Sequence, residues 1–271
     1  MYRICETTRL GKYITSEEFW TNFADEFIRR VTQDIHIRQY TEWQLSKIDA
    51  ESGDTVIDLG CGFGRLTIPL AKRGCKVYAV DQCKKFLEYL QEYAKREGVH
   101  ENIVVIEGKW EKLEPGKDIP KKIDVVVASH SLEVESIVNA LKLIIDIAKK
   151  SIHIFEDMTR FLTLEYEEIV RKVYTDKIVD TYPQPATVVY LTLTCLGLYP
   201  NVEIYYRISR VKVKHIDEVI ERRLSRILPV EKSEVREKII EVLSNRIVEK
   251  DNDGVVIEFR RPIAHIWCKI S

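Results

Sequence analysis

The chain has 271 residues, 45% hydrophobic and 31% charged, the composition of an ordinary globular protein with one large domain or two small ones. Its 42 basic and 43 acidic residues leave a formal net charge of −1, so bulk charge gives no argument for an anionic partner; nucleic acid would need a local basic patch and is not excluded. No apolar run approaches the ~20 residues of a membrane span, and the first residues, MYRICETTRLGKY, lack the apolar core of a signal peptide.

In chain order, residues 16–31 place Phe19, Trp20, Phe23, Phe27 and Val31 at helical spacing behind Ser16, a residue suited to an N-cap. A second amphipathic stretch follows at 34–49. Both precede the first strand, so residues 1–50 read as an N-terminal helical extension. From Thr55 the pattern changes to strands alternating with helices: TVIDLG, RLTIPLAKRG, CKVYAVD, KKFLEYLQEYAKREG, NIVVIEG, IDVVVAS, LEVESIVNALKLIIDIAKK and SIHIFED. Alternation of this kind means parallel strands joined by right-handed crossovers. Pro69 is tolerated only if its helix begins just before it, near Gly64 or Arg65.

Beyond residue 160, LTLEYEEIVRKVY reads as a helix, and ATVVYLTLTCLGLYP as a helix in preference to a strand. NVEIYYRISRVKV alternates like a strand. DEVIERRLSRIL and SEVREKIIEVLSNRI read as helices, the second capped by Ser233. Two final strands flank a turn at Asn252-Asp253-Gly254. Arg222-Arg223 and Arg260-Arg261 read as solvated faces, and residues 201–271 are too weakly basic to demand nucleic acid.

The most informative stretch is Val56-Ile57-Asp58-Leu59-Gly60-Cys61-Gly62-Phe63-Gly64. A strand feeds a glycine turn into a helix, at the carboxyl edge where open α/β sheets bind ligands. Gly60 permits the tight turn, Gly62 lets a ligand approach the backbone, and Gly64 lets the helix pack close to the strand. A dinucleotide fingerprint would place glycine at 65, where Arg65 stands; no Gly-Lys-Ser/Thr of a P-loop follows. Asp58 is placed to meet an ammonium, directly or through water. Asp81, 21 residues after Gly60, can accept both hydroxyls of a ribose, or serve as a plain helix cap; Gln82 beside it can contact the ribose or the base edge.

These segments, VIDLGCGFGRLTIPLAKRG, KVYAVDQ, VVIEGKWEKL and IDVVVASHSL, resemble the successive motifs of class I S-adenosylmethionine-dependent methyltransferases, in their usual order over residues 54–158. The resemblance implies a Rossmann-like, mostly parallel seven-stranded sheet with helices on both faces, the N-terminal extension, and a helical insertion before the last strand. The methyltransferase domain would span 51–271, with 160–246 as the substrate-side insertion. S-adenosylmethionine would lie on Asp58, Gly60, Cys61, Gly62 and Gly64 through its methionine part and on Asp81 through its ribose. The turn after the third strand, with Lys109 and Trp110, would edge the adenine, and Ser129 would sit near the methyl group. Lys109 departs from the acidic residue many members carry there, because lysine cannot accept a hydrogen bond. Trp110 would then stack on the base or serve in packing. Tyr13 and Trp20, with Phe19, Phe23 and Phe27, resemble an aromatic lid over the cofactor, or else pack as core beneath the sheet edge.

In-line methyl transfer needs positioning more than covalent machinery. His130, closing the fourth strand, is the candidate general base or acceptor-orienting group, or else satisfies a backbone carbonyl or lines the cofactor pocket. The expectation is a small-molecule methyltransferase. An RNA or protein methyltransferase, a nucleotide-binding dehydrogenase and a catalytically silent adenosyl-binding subunit are the competing readings. No metal is expected. The six cysteines lack C-x₂-C spacing and read as reduced thiols of a cytoplasmic protein, monomeric or homodimeric. The abundance of Lys, Glu, Ile and Val hints at a thermophilic source.

Overall fold

The computed structural model describes residues 17–159, 163–174, 184–225 and 230–270. Tyr13 and Ser16, expected in the lid and as an N-cap, lie outside the described residues, as does the side chain of Phe19. The chain divides into two compact units, residues 1–156 with 189–203 and 264–271, and residues 157–188 with 204–263.

The first unit opens with helices α1 (Glu17–Gln33) and α2 (Ile35–Lys47). The alternating units follow: β1 (Thr55–Leu59), α3 (Thr67–Lys72), β2 (Lys76–Asp81), α4 (Lys84–Arg96), β3 (Ile103–Glu107), β4 (Ile123–Ser129), α5 (Ile137–Ile147) and β5 (Ala148–Asp157). Strands β1 to β5 are parallel in the order β3-β2-β1-β4-β5, and β8 (Gly254–Lys269) is next to β5. The chain runs outward from β1 through β2 to β3, then returns to β4 on the other side of β1. The sheet therefore has its switch point between the carboxyl ends of β1 and β4.

The sequence explains this placement. Val56, Ile57 and Leu59 of β1 and Val125, Val126 and Val127 of β4 are buried, as central strands covered on both faces must be. Helix α4 buries Phe86, Leu87, Leu90 and Ala94 at helical spacing. Leu90 joins Leu70, Val77 and Phe155 in the main core, where each such side chain contributes roughly 1.5–3 kcal/mol. Helix α3 starts at Thr67, later than expected, after a series of turns over 62–66; Pro69 falls in its first turn, where its missing N–H costs nothing.

The second unit holds α6 (Leu164–Tyr174), most of β6 (Asn201–Val213), a short helical turn α8 (Asp217–Val219) running into a π-helical turn, α9 (Ser233–Ser244), β7 (Ile247–Asp251) and the first part of β8. Between α6 and β6 in the chain comes α7 (Pro185–Cys195), the helix expected there. Strands β6 and β7 each pair with β8. Its core joins Ile169 and Val170 of α6 to Ile239, Val242 and Leu243 of α9 and to Phe259 of β8. The unit contains a cavity of about 380 Å³ lined by residues that include Met158, Leu164, Glu167, Tyr206 and Pro262.

Three expectations are corrected. Eight strands form among the described residues where the resemblance implied seven; the two final strands read around the 252–254 turn are both present, and β7 joins as an extra arm that pairs with β8 off the main strand order. Lys232, not Ser233, is the N-cap residue of α9, and no side chain caps it. Arg260 and Arg261 are not a solvated face: Arg260 binds the fully buried Glu165 through its backbone N–H (2.9 Å) and Nε (3.1 Å), and Arg261 forks onto Asp157 at 2.5 Å twice. A strand that alternates faces lets two adjacent arginines serve different buried carboxylates, a pairing no local window reveals.

Candidate functional site

The glycine turn after β1 folds back on the end of β2. The N–H groups of Gly60 and Cys61 both donate to the carbonyl of Val80, at 2.8 and 2.9 Å. Gly60, Gly62 and Gly64 take φ values of +71°, +55° and +94°, all in the left-handed region that glycine enters without steric cost. Close approach adds a second requirement at two of them. A Cβ on Gly60 would lie 2.4 Å from Ser131 Cβ, and one on Gly64 would lie 2.3 Å from Leu90 Cδ1 of α4. A Cβ on Gly62 would meet nothing within 4 Å. The middle glycine therefore borders open space, and the outer two press on neighbouring elements.

Asp81, the last residue of β2, ties the loop to α4. Its Oδ2 accepts the Gly62 N–H at 2.8 Å and its Oδ1 accepts the Cys83 N–H at 2.8 Å. Burial pushes its carboxyl pKa upward against those hydrogen bonds. Each carboxylate oxygen keeps a lone pair for a further donor, so the bracing role and a ribose contact are compatible. Gln82 follows, half-buried.

Asp58 is 3% exposed and accepts from Thr67 Oγ1 at 2.7 Å, linking the end of β1 to the first turn of α3. Desolvation pushes its pKa up to about 6, against the opposing influence of Thr67 and of the Arg65 charge. Cys61 is buried; desolvation, with the charges of Asp58 and Asp81, raises its pKa, so the thiol stays protonated at neutral pH.

After β3, the Gly108 N–H donates to the Asp81 carbonyl at 2.9 Å. Lys109 is exposed, its Nζ 4.0 Å from Glu135. Trp110 is 5% exposed, and its Nε1 donates to the Ser131 carbonyl at 3.0 Å. The indole therefore fastens the turn after β3 to the turn after β4.

The end of β4 shows what the sequence did not. Ser129 Oγ accepts from Gln44 Nε2 at 2.9 Å and from Arg65 Nη2 at 3.2 Å. Arg65 Nη1 also reaches Thr41 Oγ1 (2.8 Å) and Gln44 Oε1 (2.5 Å), and its guanidinium lies 5.4 Å from the Tyr40 ring centroid. His130 is the only non-glycine residue with positive φ among those described, at +53°. Its N–H donates to the Phe155 carbonyl (2.9 Å), its Nε2 is 3.0 Å from the Tyr40 hydroxyl, and its Nδ1 is 3.8 Å from Glu156 Oε1. Tyr40, Thr41 and Gln44 are thus site residues that sequence reasoning missed. Their one legible signal was the i, i+4 spacing of Tyr40 and Gln44 on a face of α2.

Trp20 joins an aromatic cluster with Phe27 and Phe86, at centroid distances of 5.7 and 6.1 Å, and Phe27 lies 6.2 Å from Phe63 of the glycine loop. Helix α1 therefore packs beside that loop and α4.

Two features bear on whether this site fits an adenosyl sulfonium with an ammonium and a ribose. Open space lies at Gly62, beside the carboxylate of Asp81. Across from Gly60, Ser131 Oγ is buried without a hydrogen-bond partner. A cradle of positive-φ glycines, two acidic side chains and an orphaned hydroxyl match a polar, partly cationic ligand.

Residues 56–151, about a third of the chain, match the family described as "Methyltransferase domain". Among curated relatives, a ribosomal protein L11 methyltransferase of Campylobacter concisus is 40% identical over 88 residues, 32% of this chain and 28% of that protein. A probable cobalt-precorrin-6B C(15)-methyltransferase of Saccharolobus solfataricus is 37% identical over 68 residues, 24% of this chain and 34% of that protein. The chain spans less than half the length of the curated relatives it matches first. The crystal structure of the YcgJ protein from Bacillus subtilis superposes with a TM-score of 0.57 at 14% identity, covering 86% of this chain and 98% of that one. A magnesium protoporphyrin IX methyltransferase from Synechocystis, with bound SAH, gives 0.51 at 14% identity over 91% and 97%. At such identities the likeness is one of fold.

Proposed function

We propose, on the premise that residues 56–151 form a methyltransferase domain of the S-adenosylmethionine-dependent class I type, that this chain transfers the methyl group of S-adenosylmethionine to a small-molecule acceptor. One observation carries the reading: three positive-φ glycines form a loop that Asp81 braces through Gly62 and Cys83, with open space at the middle glycine. In this reading Asp58, Gly60, Cys61, Gly62 and Gly64 hold the methionine part, and Asp81 with Gln82 holds the ribose. The turn at Lys109 and Trp110 borders the adenine, and Ser129 lies near the transferred methyl.

When bound, the donor supplies an activated methyl on a positively charged sulfur. The chain's own residues position and desolvate. Ionised Asp58 and Asp81 offset the donor's positive charge in a buried setting, where such attraction is stronger than in water. Ser129, clamped by Gln44 and Arg65, keeps the end of β4 rigid. His130, hydrogen-bonded to Tyr40, is placed to take a proton from the acceptor. The N-terminal helices, with Trp20, would help to select the acceptor. The relatives' names divide: the cobalt-precorrin methyltransferases support a small acceptor, and the ribosomal protein L11 methyltransferase keeps a protein acceptor as the alternative. No described helix is long and apolar enough to cross a membrane, and the described cysteines are free, which supports a cytoplasmic, reduced protein. The Lys, Glu, Ile and Val content supports a thermophilic source.

Calorimetric titration with S-adenosylmethionine and S-adenosylhomocysteine tests the reading. Binding in the low micromolar range is expected, about −8 kcal/mol. Binding of NADH in place of either ligand would overturn it. A radiolabelled-methyl screen of metabolite, RNA and protein fractions then identifies the acceptor class.

A further inference from the structure

The cavity of about 380 Å³ in the second unit plays no part in the methyltransferase reading. Its size falls within the roughly 300–1,000 Å³ of small-molecule sites. Much of its wall is apolar: Leu164 of α6, Ile204 and Tyr206 of β6, and Pro262 of β8. The Met158 N–H donates to the Pro262 carbonyl at 3.0 Å, which fixes the chain before Thr159 against β8. Thr159 lines the cavity too. It is 4% exposed, and its Oγ1 is buried without a hydrogen-bond partner. A buried hydroxyl left in this way forfeits a bond that water would have given it, and a polar ligand in the cavity would restore it.

Two opposite charges of α6 line the same space, Glu167 and Arg171. They stand four positions apart, the spacing at which a glutamate and a following arginine close an ion pair along a helix. Here they do not close: Arg171 makes no ion pair or hydrogen bond with any described residue. Glu167, 7% exposed, is also engaged within the chain, and the roughly four acceptor sites of a carboxylate leave room for a further N–H. Glu168, the other acid of the wall, is bonded by Arg246 Nη2 at 3.5 Å.

We propose that this cavity binds a free α-amino acid with an apolar side chain. The α-ammonium lies against Glu167 and the α-carboxylate against Arg171. The side chain rests on Leu164, Ile204, Tyr206 and Pro262, and Thr159 Oγ1 hydrogen-bonds one of the two head groups. A purely cationic ligand would meet the Arg171 charge and a purely anionic one the Glu167 charge. Only a head that carries both signs satisfies the pair. Every group used here belongs to the second unit, so amino-acid binding is found or refuted whatever the outcome of the donor titration.

Calorimetric titration of the full-length chain with L-phenylalanine and L-leucine, in the absence of S-adenosylmethionine, is the test. One or both should bind at millimolar concentration or below. For the tighter of the two, the deamino acid, which lacks the ammonium, and the amide, which lacks the carboxylate, should each bind at least about tenfold more weakly. Arg171→Met should lower affinity for the amino acid at least about tenfold and leave affinity for the amide unchanged. Glu167→Gln should do the same with respect to the deamino acid. Thr159→Val should weaken binding by about threefold or more without lowering Tm, because it removes a hydroxyl that has no partner and keeps the side chain's shape. Arg171→Met alters an exposed side chain, so it and Thr159→Val keep the test open if Glu167→Gln fails to fold. No binding of either amino acid at millimolar concentration overturns the proposal. So does binding that the deamino acid and the amide match, since the site would then ignore the paired charges. Binding that Arg171→Met and Thr159→Val leave unchanged puts the ligand elsewhere and overturns it too.

Discussion

The glycine loop allows fold and ligand binding to be separated by two substitutions that differ by one methyl group each. Gly60 and Gly62 both sit at positive φ, so alanine at either costs roughly 1–2 kcal/mol of backbone strain. At Gly60 the new methyl would also land 2.4 Å from Ser131 Cβ, and overpacking of this kind adds about 1–3 kcal/mol. Gly60→Ala should therefore lower unfolding free energy by about 2–5 kcal/mol, a large part of the stability of an ordinary domain. At Gly62 nothing lies within 4 Å of the new methyl. Gly62→Ala should cost only the strain of about 1–2 kcal/mol, yet project into the space the donor would fill. Its affinity for S-adenosylmethionine should fall at least tenfold, about 1.4 kcal/mol. Urea unfolding gives the first quantity and calorimetry the second. A Gly60→Ala chain within 1 kcal/mol of native would refute the packing argument. A Gly62→Ala chain that binds the donor with native affinity would refute the cradle.

Asp81→Asn keeps the side-chain shape but loses the charge, and should weaken donor binding by about 1–3 kcal/mol, measured by calorimetry; unchanged affinity would remove Asp81 from the ligand site. Trp110→Phe deletes the bond to the Ser131 carbonyl and should destabilise the chain by about 1–2 kcal/mol in urea unfolding; native stability would show that the indole does not fasten the two turns. Acid sensitivity follows from two buried groups of opposite sign. Asp58 has its pKa raised to about 6, so between pH ~4 and ~6 the folded chain holds a proton the unfolded chain has lost, and stability falls as pH rises, by about 1.4 kcal/mol per pH unit. His265, 2% exposed, is lowered to about 3 by desolvation and the charges of His153 and Lys47. Between pH ~3 and ~6.5 the unfolded chain holds the extra proton, so stability rises with pH. Asp58→Asn should make the acid-limb slope more positive and His265→Gln should make it less so; slopes unmoved by either would contradict the burial argument. Donor affinity should also fall below pH ~6, as Asp58 takes up its proton and loses the charge that meets the ammonium.

The parallel α/β order of residues 55–157, the glycine turn and the position of Asp81 were legible in the chain itself. Each is written in a short window: β-branched runs, helical spacing of Phe86, Leu87 and Leu90, and glycines where only glycine takes positive φ without strain. The helix over 185–195 and the strand over 201–213 were likewise local matters, settled by length and alternation. Other features were decided by tertiary structure, because their partners are remote in sequence. Tyr40 meets His130 across 90 positions, Gln44 meets Ser129 across 85, and the buried His153–His265 contact joins residues 112 apart. Nothing in the window around His130 announces a left-handed backbone, which is set by its bond to Phe155 on the neighbouring strand and by helix α2. Local periodicity encodes which face a residue occupies. Only the closed fold decides which distant polar group it must satisfy there, because an unmet hydrogen bond becomes costly only once water is gone.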